Sequence, residues 1–307
     1  MKYLLLALIS FIFAGCGGKS ADDTTTTDLG ETAQQIGDVM ASIDEIGGTT
    51  GSIAYNENTF EKTFARLAPE SNHETNKSNL FKFFQPDAQA TAVACSTVDF
   101  GLCSSSAKTR TFSGCTVGSA TFSGTVNLAW TGTSSSICNL ANASDTITRI
   151  PNFTVTGRRG ATLAVTKTGT FGQKLTWSSG SGSNKIFALR NDGINRKFTS
   201  TAATVLFDQT TTTSTDLIIS GNLRTGRTIT AGTLRVTNNL TGQTCDYIPS
   251  NVTWTASCNC PTSGTWNGSC VTSGVGTTST VTITGCGAGS YTEGTTTSTL
   301  AFDRCGT

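Results

Sequence analysis

Between Leu29 and Ile46 the apolar residues Leu29, Ala33, Ile36, Met40, Ile43 and Ile46 are separated by steps of four and three. A helix of 3.6 residues per turn puts such positions on one stripe. Asp28 stands ahead of the stripe as a candidate N-cap, Glu31 follows three residues later, and Gly47-Gly48 ends the pattern. The stripe is expected to pack against the rest of the chain. A weaker helical spacing joins Phe60, Phe64 and Leu67 before Pro69. From Cys95 onward the period becomes two. Phe122, Gly124, Val126, Leu128 and Trp130 alternate with Thr121, Ser123, Thr125 and Asn127, and the pattern recurs around Val252 and Trp254 and around Val281 and Ile283. Such alternation predicts strands with one core face and one hydroxyl face. Gly157-Arg158-Arg159-Gly160, Gly169 to Gly172 and Asp192-Gly193 lie between these runs and read as hairpin turns. The expected fold is mainly β: antiparallel, β-sandwich-like sheets stabilised by disulfides and preceded by a short α-helical segment.

Composition supports that division. The 307 residues include 59 Thr, 32 Ser and 33 Gly, and only 13% are charged. Long amphipathic helices need charges, whereas β-branched Thr favours a pleated surface, so an all-helical protein is excluded. A single His, His73, in a polar stretch argues against His-dependent catalysis or metal binding.

The first sixteen residues have their own logic. Met1-Lys2 is a short basic start, Tyr3 to Phe13 is apolar, and Ala14-Gly15-Cys16 is a small-residue cleavage site ending in cysteine. This pattern is a secretory signal, too short to span a bilayer permanently. Phe13-Ala14-Gly15-Cys16 resembles the lipobox of bacterial lipoproteins, with Phe13 where that family usually has Leu. The resemblance implies cleavage before Cys16 and acylation of Cys16, palmitate included. Gly17 follows, not the Asp that such lipoproteins often use for inner-membrane retention, so the implied location is the bacterial outer membrane, lipid-anchored. The resulting organisation is a signal peptide (1–15), a tether (16–28), an acidic helical segment (29–69), a linker (70–91) and a disulfide-rich β domain (92–307).

Ten cysteines remain besides Cys16: Cys95, Cys103, Cys115, Cys138, Cys245, Cys258, Cys260, Cys270, Cys286 and Cys305. An even number in an exported chain points to disulfides. Gly114-Cys115-Thr116-Val117-Gly118-Ser119-Ala120-Thr121 and Gly285-Cys286-Gly287-Ala288-Gly289-Ser290-Tyr291-Thr292 share the order Gly-Cys-x-x-Gly-Ser-x-Thr, which reads as an internal repeat. The repeat predicts pairing within each cluster: Cys95–Cys103 and Cys115–Cys138, then Cys260–Cys270 and Cys286–Cys305, leaving Cys245–Cys258. A zinc site at Cys258-Asn259-Cys260 is disfavoured, because the flanking cysteines are not two to four residues away and no His is near.

The net charge of +1 conceals a dipole: residues 16–91 hold twelve acids and five bases, residues 92–307 eight acids and fifteen bases. Twelve of those bases fall in 139–244. An exposed basic field would attract lipopolysaccharide phosphates or an acidic glycan, with Arg158 and Arg159 in a hairpin tip as the candidate anion contact. The contrary expectation is that the bases are scattered over strand edges and outer faces. Nucleic acid is not among the expected partners, and no cofactor or metal is expected. No spacing singles out a carboxylate pair for glycoside chemistry, since Glu293 is the only Glu of the β region. The leading expectation is a non-enzymatic outer-membrane lipoprotein, a structural or adhesive β module of the cell envelope. A carbohydrate- or anionic-ligand-binding lipoprotein is the alternative, and a glycoside-acting enzyme the remote one. Exposed Trp130, Trp177, Trp254 or Trp266 in a concavity would favour glycan binding; burial of all four would favour a structural module.

Overall fold

The protein is described by a computed structural model covering residues 22–45, 107–117, 120–132, 140–157, 159–302 and 305. Helix α1 is Asp22–Glu45. The strands are β1 (Ala107–Val117), β2 (Ala120–Thr131), β3 (Thr146–Thr156), β4 (Thr162–Lys167), β5 (Gln173–Ser179), β6 (Ile186–Asn191) and β7 (Ile194–Thr199). They continue as β8 (Val205–Ser220), β9 (Thr228–Asn238), β10 (Thr244–Trp254), β11 (Pro261–Thr272), β12 (Val275–Gly285), β13 (Ala288–Glu293) and β14 (Thr296–Ala301). The architecture is mainly β and antiparallel, in one 14-stranded sheet. Period-two alternation explains the strands: Phe122, Val126, Leu128 and Trp130 are buried while Thr121 and Thr125 between them are half-buried or better exposed.

The sheet is a meander with one break. β4 pairs with the Asn152–Thr156 end of β3, and β5 pairs with its Thr146–Arg149 end. Likewise β7 and β6 pair with successive parts of β8. Two long strands are therefore each interrupted, at 168–172 and 192–193, where they also face one another. Asp192 holds the break open. Its Oδ2 accepts from the amides of Thr170 (2.6 Å) and Phe171 (3.0 Å), while the Thr168 amide donates to the Gly193 carbonyl at 2.9 Å. Gly193 has φ 137°, and a Cβ there would lie 2.3 Å from Thr168 Oγ1. Of the three expected hairpin turns, Gly157 to Gly160 connects β3 to β4, with Gly160 donating to the Gly157 carbonyl at 2.8 Å. The other two, Gly169 to Gly172 and Asp192-Gly193, are excursions within strands, because they hydrogen-bond to each other and the chain keeps its direction afterwards.

The sheet curls around α1. Laid flat, twelve strands about 4.8 Å apart would span more than 50 Å, whereas a helix is about 10 Å across. Yet α1 touches β5 through Ser42, β8 through Thr32 and Gln35, and the end of β14 through Gln34. Strands far apart in the ladder meet on one helix only if the sheet bends round it. Ala33, Ile36, Met40 and Ile43 share one core cluster with Trp130, Phe187, Leu217, Tyr247, Trp266 and Tyr291. A second cluster, with Phe112, Phe122, Phe153, Phe198 and Phe207, fills the inner face of the β1 to β8 region. Along its apolar stripe the helix is covered by the sheet. It also begins at Asp22, so part of the expected tether is helical. The helical spacing at Phe60 to Leu67 and the linker 70–91 lie outside the described residues.

Three disulfides are described: Cys245–Cys270, Cys258–Cys286 and Cys260–Cys305. They stay within the 245–305 cluster, as the repeat predicts, but no expected partner of that cluster is kept. Cys245 pairs with Cys270 because the two stand directly opposite in β10 and β11. Cys260, at the entry to β11, meets the chain end after β14, and Ala41 of α1 packs on Cys258 and Cys260. The repeat itself marks two hairpins with different turn positions: Val117 pairs with Ala120 in one, Gly285 with Ala288 in the other. Cys95, Cys103 and Cys138 lie outside the described residues, as does the Cys115 side chain.

Candidate functional site

Helix α1 has a second buried stripe, and it is polar. Thr32, Gln35, Asp38 and Ser42 recur at steps of three, three and four, and they face inward-pointing polar residues of the sheet on either side of its break. Gln209 Nε2 donates to Thr32 Oγ1 (3.2 Å), Thr211 Oγ1 to Gln35 Oε1 (3.0 Å), and Gln173 Nε2 to Ser42 Oγ (2.6 Å). Arg196 Nη1 meets Asp38 Oδ2 at 2.5 Å. Arg149 of β3 is wholly enclosed, and burial pushes its guanidinium down to about 10 against the opposing pull of Asp38. Strand interiors seldom carry such residues. The break explains their position, since Gln173 opens β5 and Asn191 closes β6 on its two sides.

Between helix and sheet this seam leaves a cavity of about 30 Å³ bordered by Asp38, Arg149, Gln173, Asn191 and Arg196. What the arrangement does chemically follows from its groups. Two guanidiniums and several side-chain amides are hydrogen-bond donors, and a low-dielectric wall strengthens their field. They can orient the helix and hold something electron-rich. Among the described residues no group of three or more His, Cys, Asp or Glu is placed to hold a metal ion.

The residues singled out from the sequence are dispersed. All four tryptophans face the core: Trp130 is 2% exposed, Trp177 9%, Trp254 4% and Trp266 0%. The basic residues of 139–244 do not gather on one exposed face. Arg149, Arg196 and Arg227 are buried. Arg235 forms two 2.7 Å bonds with Asp246, Lys185 lies 3.6 Å from the Trp177 ring centroid, and Arg190 is 3.8 Å from Asp216. Arg159 is exposed in the turn between β3 and β4, whereas Arg158, His73 and Cys16 lie outside the described residues.

Sequence reasoning missed the seam. Its signal was present as Thr32, Gln35 and Asp38 beside an apolar stripe, but polar helical positions ordinarily mean solvent. Across the sheet hydroxyl and amide residues align: Thr111, Thr125, Asn152, Thr166, Asn195, Thr210, Thr237 and Thr244 are consecutive register partners from β1 to β10. The outer face is thus a continuous hydroxyl and amide row. Comparison of the chain with protein-family models, with curated proteins and with solved structures returned no match.

Proposed function

We propose that the chain is a non-enzymatic lipoprotein of the bacterial outer membrane, anchored through Cys16, whose curled β sheet serves as a structural or adhesive module of the envelope. The observation that carries this reading is the burial of all four tryptophans. Sugar-binding clefts offer aromatic faces to solvent, and here those faces are occupied by core neighbours. The concave side is filled by α1, so the surface left for contact is the convex hydroxyl row. The dispersed basic residues support the same reading over an anionic-ligand protein, because ion pairs and burial engage the charges that a docking field would need.

Glycan-array and lipopolysaccharide titrations of the full chain test the proposal. Weak binding at both low and physiological salt is expected. Tight, salt-sensitive binding that disappears on Arg158→Ser with Arg159→Ser would replace the module with an anion-binding protein. For the anchor, Cys16→Ser is expected to move the protein from the membrane to the soluble fraction; retention in membranes would refute the lipid attachment.

A further inference from the structure

Four of the six large apolar side chains that stand exposed among the described residues belong to one end of the sheet. Leu206 is 44% exposed, Leu240 51%, Val271 47% and Val275 67%. The other two are Leu223, in the β8–β9 connection at the opposite end, and Ile248, within β10. Strand register gathers the four. Leu206 is the second residue of β8. The Asn239 amide donates to the Asp208 carbonyl at 2.8 Å, so the β9–β10 turn that carries Leu240 stands beside the start of β8. Thr237 faces Thr244, Thr244 faces Val271, and Thr272 faces Val275 across the β11–β12 turn. From β8 to β12 is four strand spacings, about 20 Å. Exposed apolar residues scattered singly are ordinary, whereas a set that rims one end marks a contact surface.

Helix α1 starts at the same end. Thr32 meets Gln209 of β8, whereas Ser42 meets Gln173, which stands opposite Asn191, whose amide donates to Thr213 Oγ1 at 3.0 Å. Residues 42 to 32 of the helix, about 15 Å of its length, therefore run beside positions 213 to 209 of β8, about 13 Å, towards Val205. Asp22, the first helical residue, lies a further 15 Å or so along, at or past the start of β8. From Asp22 back to Cys16 the chain can span at most about 20 Å.

We propose that this rim rests on the bilayer surface, with Leu206, Leu240, Val271 and Val275 entering the headgroup region of the membrane that the Cys16 acyl chains enter. The inference rests on the proposed anchoring at Cys16. So short a tether keeps the rim at high local concentration beside the lipid, and a few apolar side chains then suffice to hold it there. The contact sets the orientation of the module. The strands rise from the membrane, and the end tied by Cys258–Cys286 and Cys260–Cys305 faces away from it.

Photolabelling of the full lipidated chain tests the rim, in phosphatidylcholine vesicles doped with a phospholipid that carries a diazirine near the headgroup end of its acyl chain. Labels are expected on peptides 200–208, 238–244 and 270–276, and roughly tenfold fewer on 221–227, which holds Leu223 at the far end. Leu206→Ser, Leu240→Ser, Val271→Ser and Val275→Ser together alter only exposed positions, and are expected to lower rim labelling about tenfold while Cys16 keeps the protein in the membrane. With Cys16 shown acylated by intact mass, labels spread evenly over both ends, or absent from the rim because another protein copy covers it, overturn the rim and leave the anchor standing. Rim labelling undiminished by the four Ser replacements overturns it equally. An intact mass without acyl chains overturns the anchor, and the rim with it.

Discussion

Replacing Gly37 by Ala separates helix propensity from the packing of α1 inside the sheet. Glycine within a helix costs about 1 kcal/mol relative to alanine, so in a solvent-facing helix Gly37→Ala would stabilise the protein by that amount. The structure reverses the sign. A Cβ on Gly37 would lie 2.6 Å from Phe302 Cδ1, 3.3 Å from Cγ and 3.4 Å from Cβ. The ring is 4% exposed, so moving it aside displaces other buried neighbours. Forcing a methyl into such a contact costs about 1–3 kcal/mol, which exceeds the propensity gain by roughly 1 kcal/mol at mid-range. In a domain of this size that loss lowers Tm by about 2–4 °C. Urea unfolding of oxidised protein measures it. In the Phe302→Leu background the clash is relieved and Gly37→Ala is expected to stabilise, so the double-mutant cycle gives a coupling of about 1 kcal/mol or more. Stabilisation by Gly37→Ala in the wild-type background, with no coupling, would show that α1 does not sit against Phe302.

Asp38→Ala removes the carboxylate that pairs with buried Arg196 and is expected to cost about 3–5 kcal/mol in urea unfolding; a loss below about 1 kcal/mol would mean that the seam is open to water. Non-reducing peptide mapping should recover Cys245–Cys270, Cys258–Cys286 and Cys260–Cys305, and Ser replacement of either of the last two pairs should cost about 3–4 kcal/mol for loops of 28 and 45 residues; any cross-pairing contradicts the chain path. Burial pushes the hydroxyls of Tyr247 and Tyr291 above the usual tyrosine value. The unfolded chain then releases those protons near pH 10 while the folded chain keeps them, so stability falls as pH rises past about 10. Tyr247→Phe with Tyr291→Phe should remove that part of the alkaline sensitivity, and ultraviolet titration showing every native tyrosine ionising near 10 would refute it.

Much of the architecture was legible in short-range pattern. Alternation around Phe122 to Trp130 identifies a half-buried strand wherever it lies, because side chains on a strand point to opposite faces in turn. The stripe Ala33, Ile36, Met40 and Ile43 identifies a helix face by the same kind of local geometry. What those faces pack against is not local. Gly169 to Gly172 and Asp192-Gly193 have the composition of hairpin tips and become excursions only because each hydrogen-bonds to the other across the ladder. Cys245 finds Cys270 through strand register, which no cysteine spacing encodes. Thr32, Gln35, Asp38 and Ser42 look like a solvated helix face until the sheet closes over them and brings Arg149 and Arg196, more than one hundred residues away, into the same interior. Sequence alone determined which residues form strands and which form the helix, since backbone periodicity is set within a few residues. The tertiary structure alone decided that the polar stripe is buried and charged on both sides, since burial depends on partners brought together by the curl of the whole sheet.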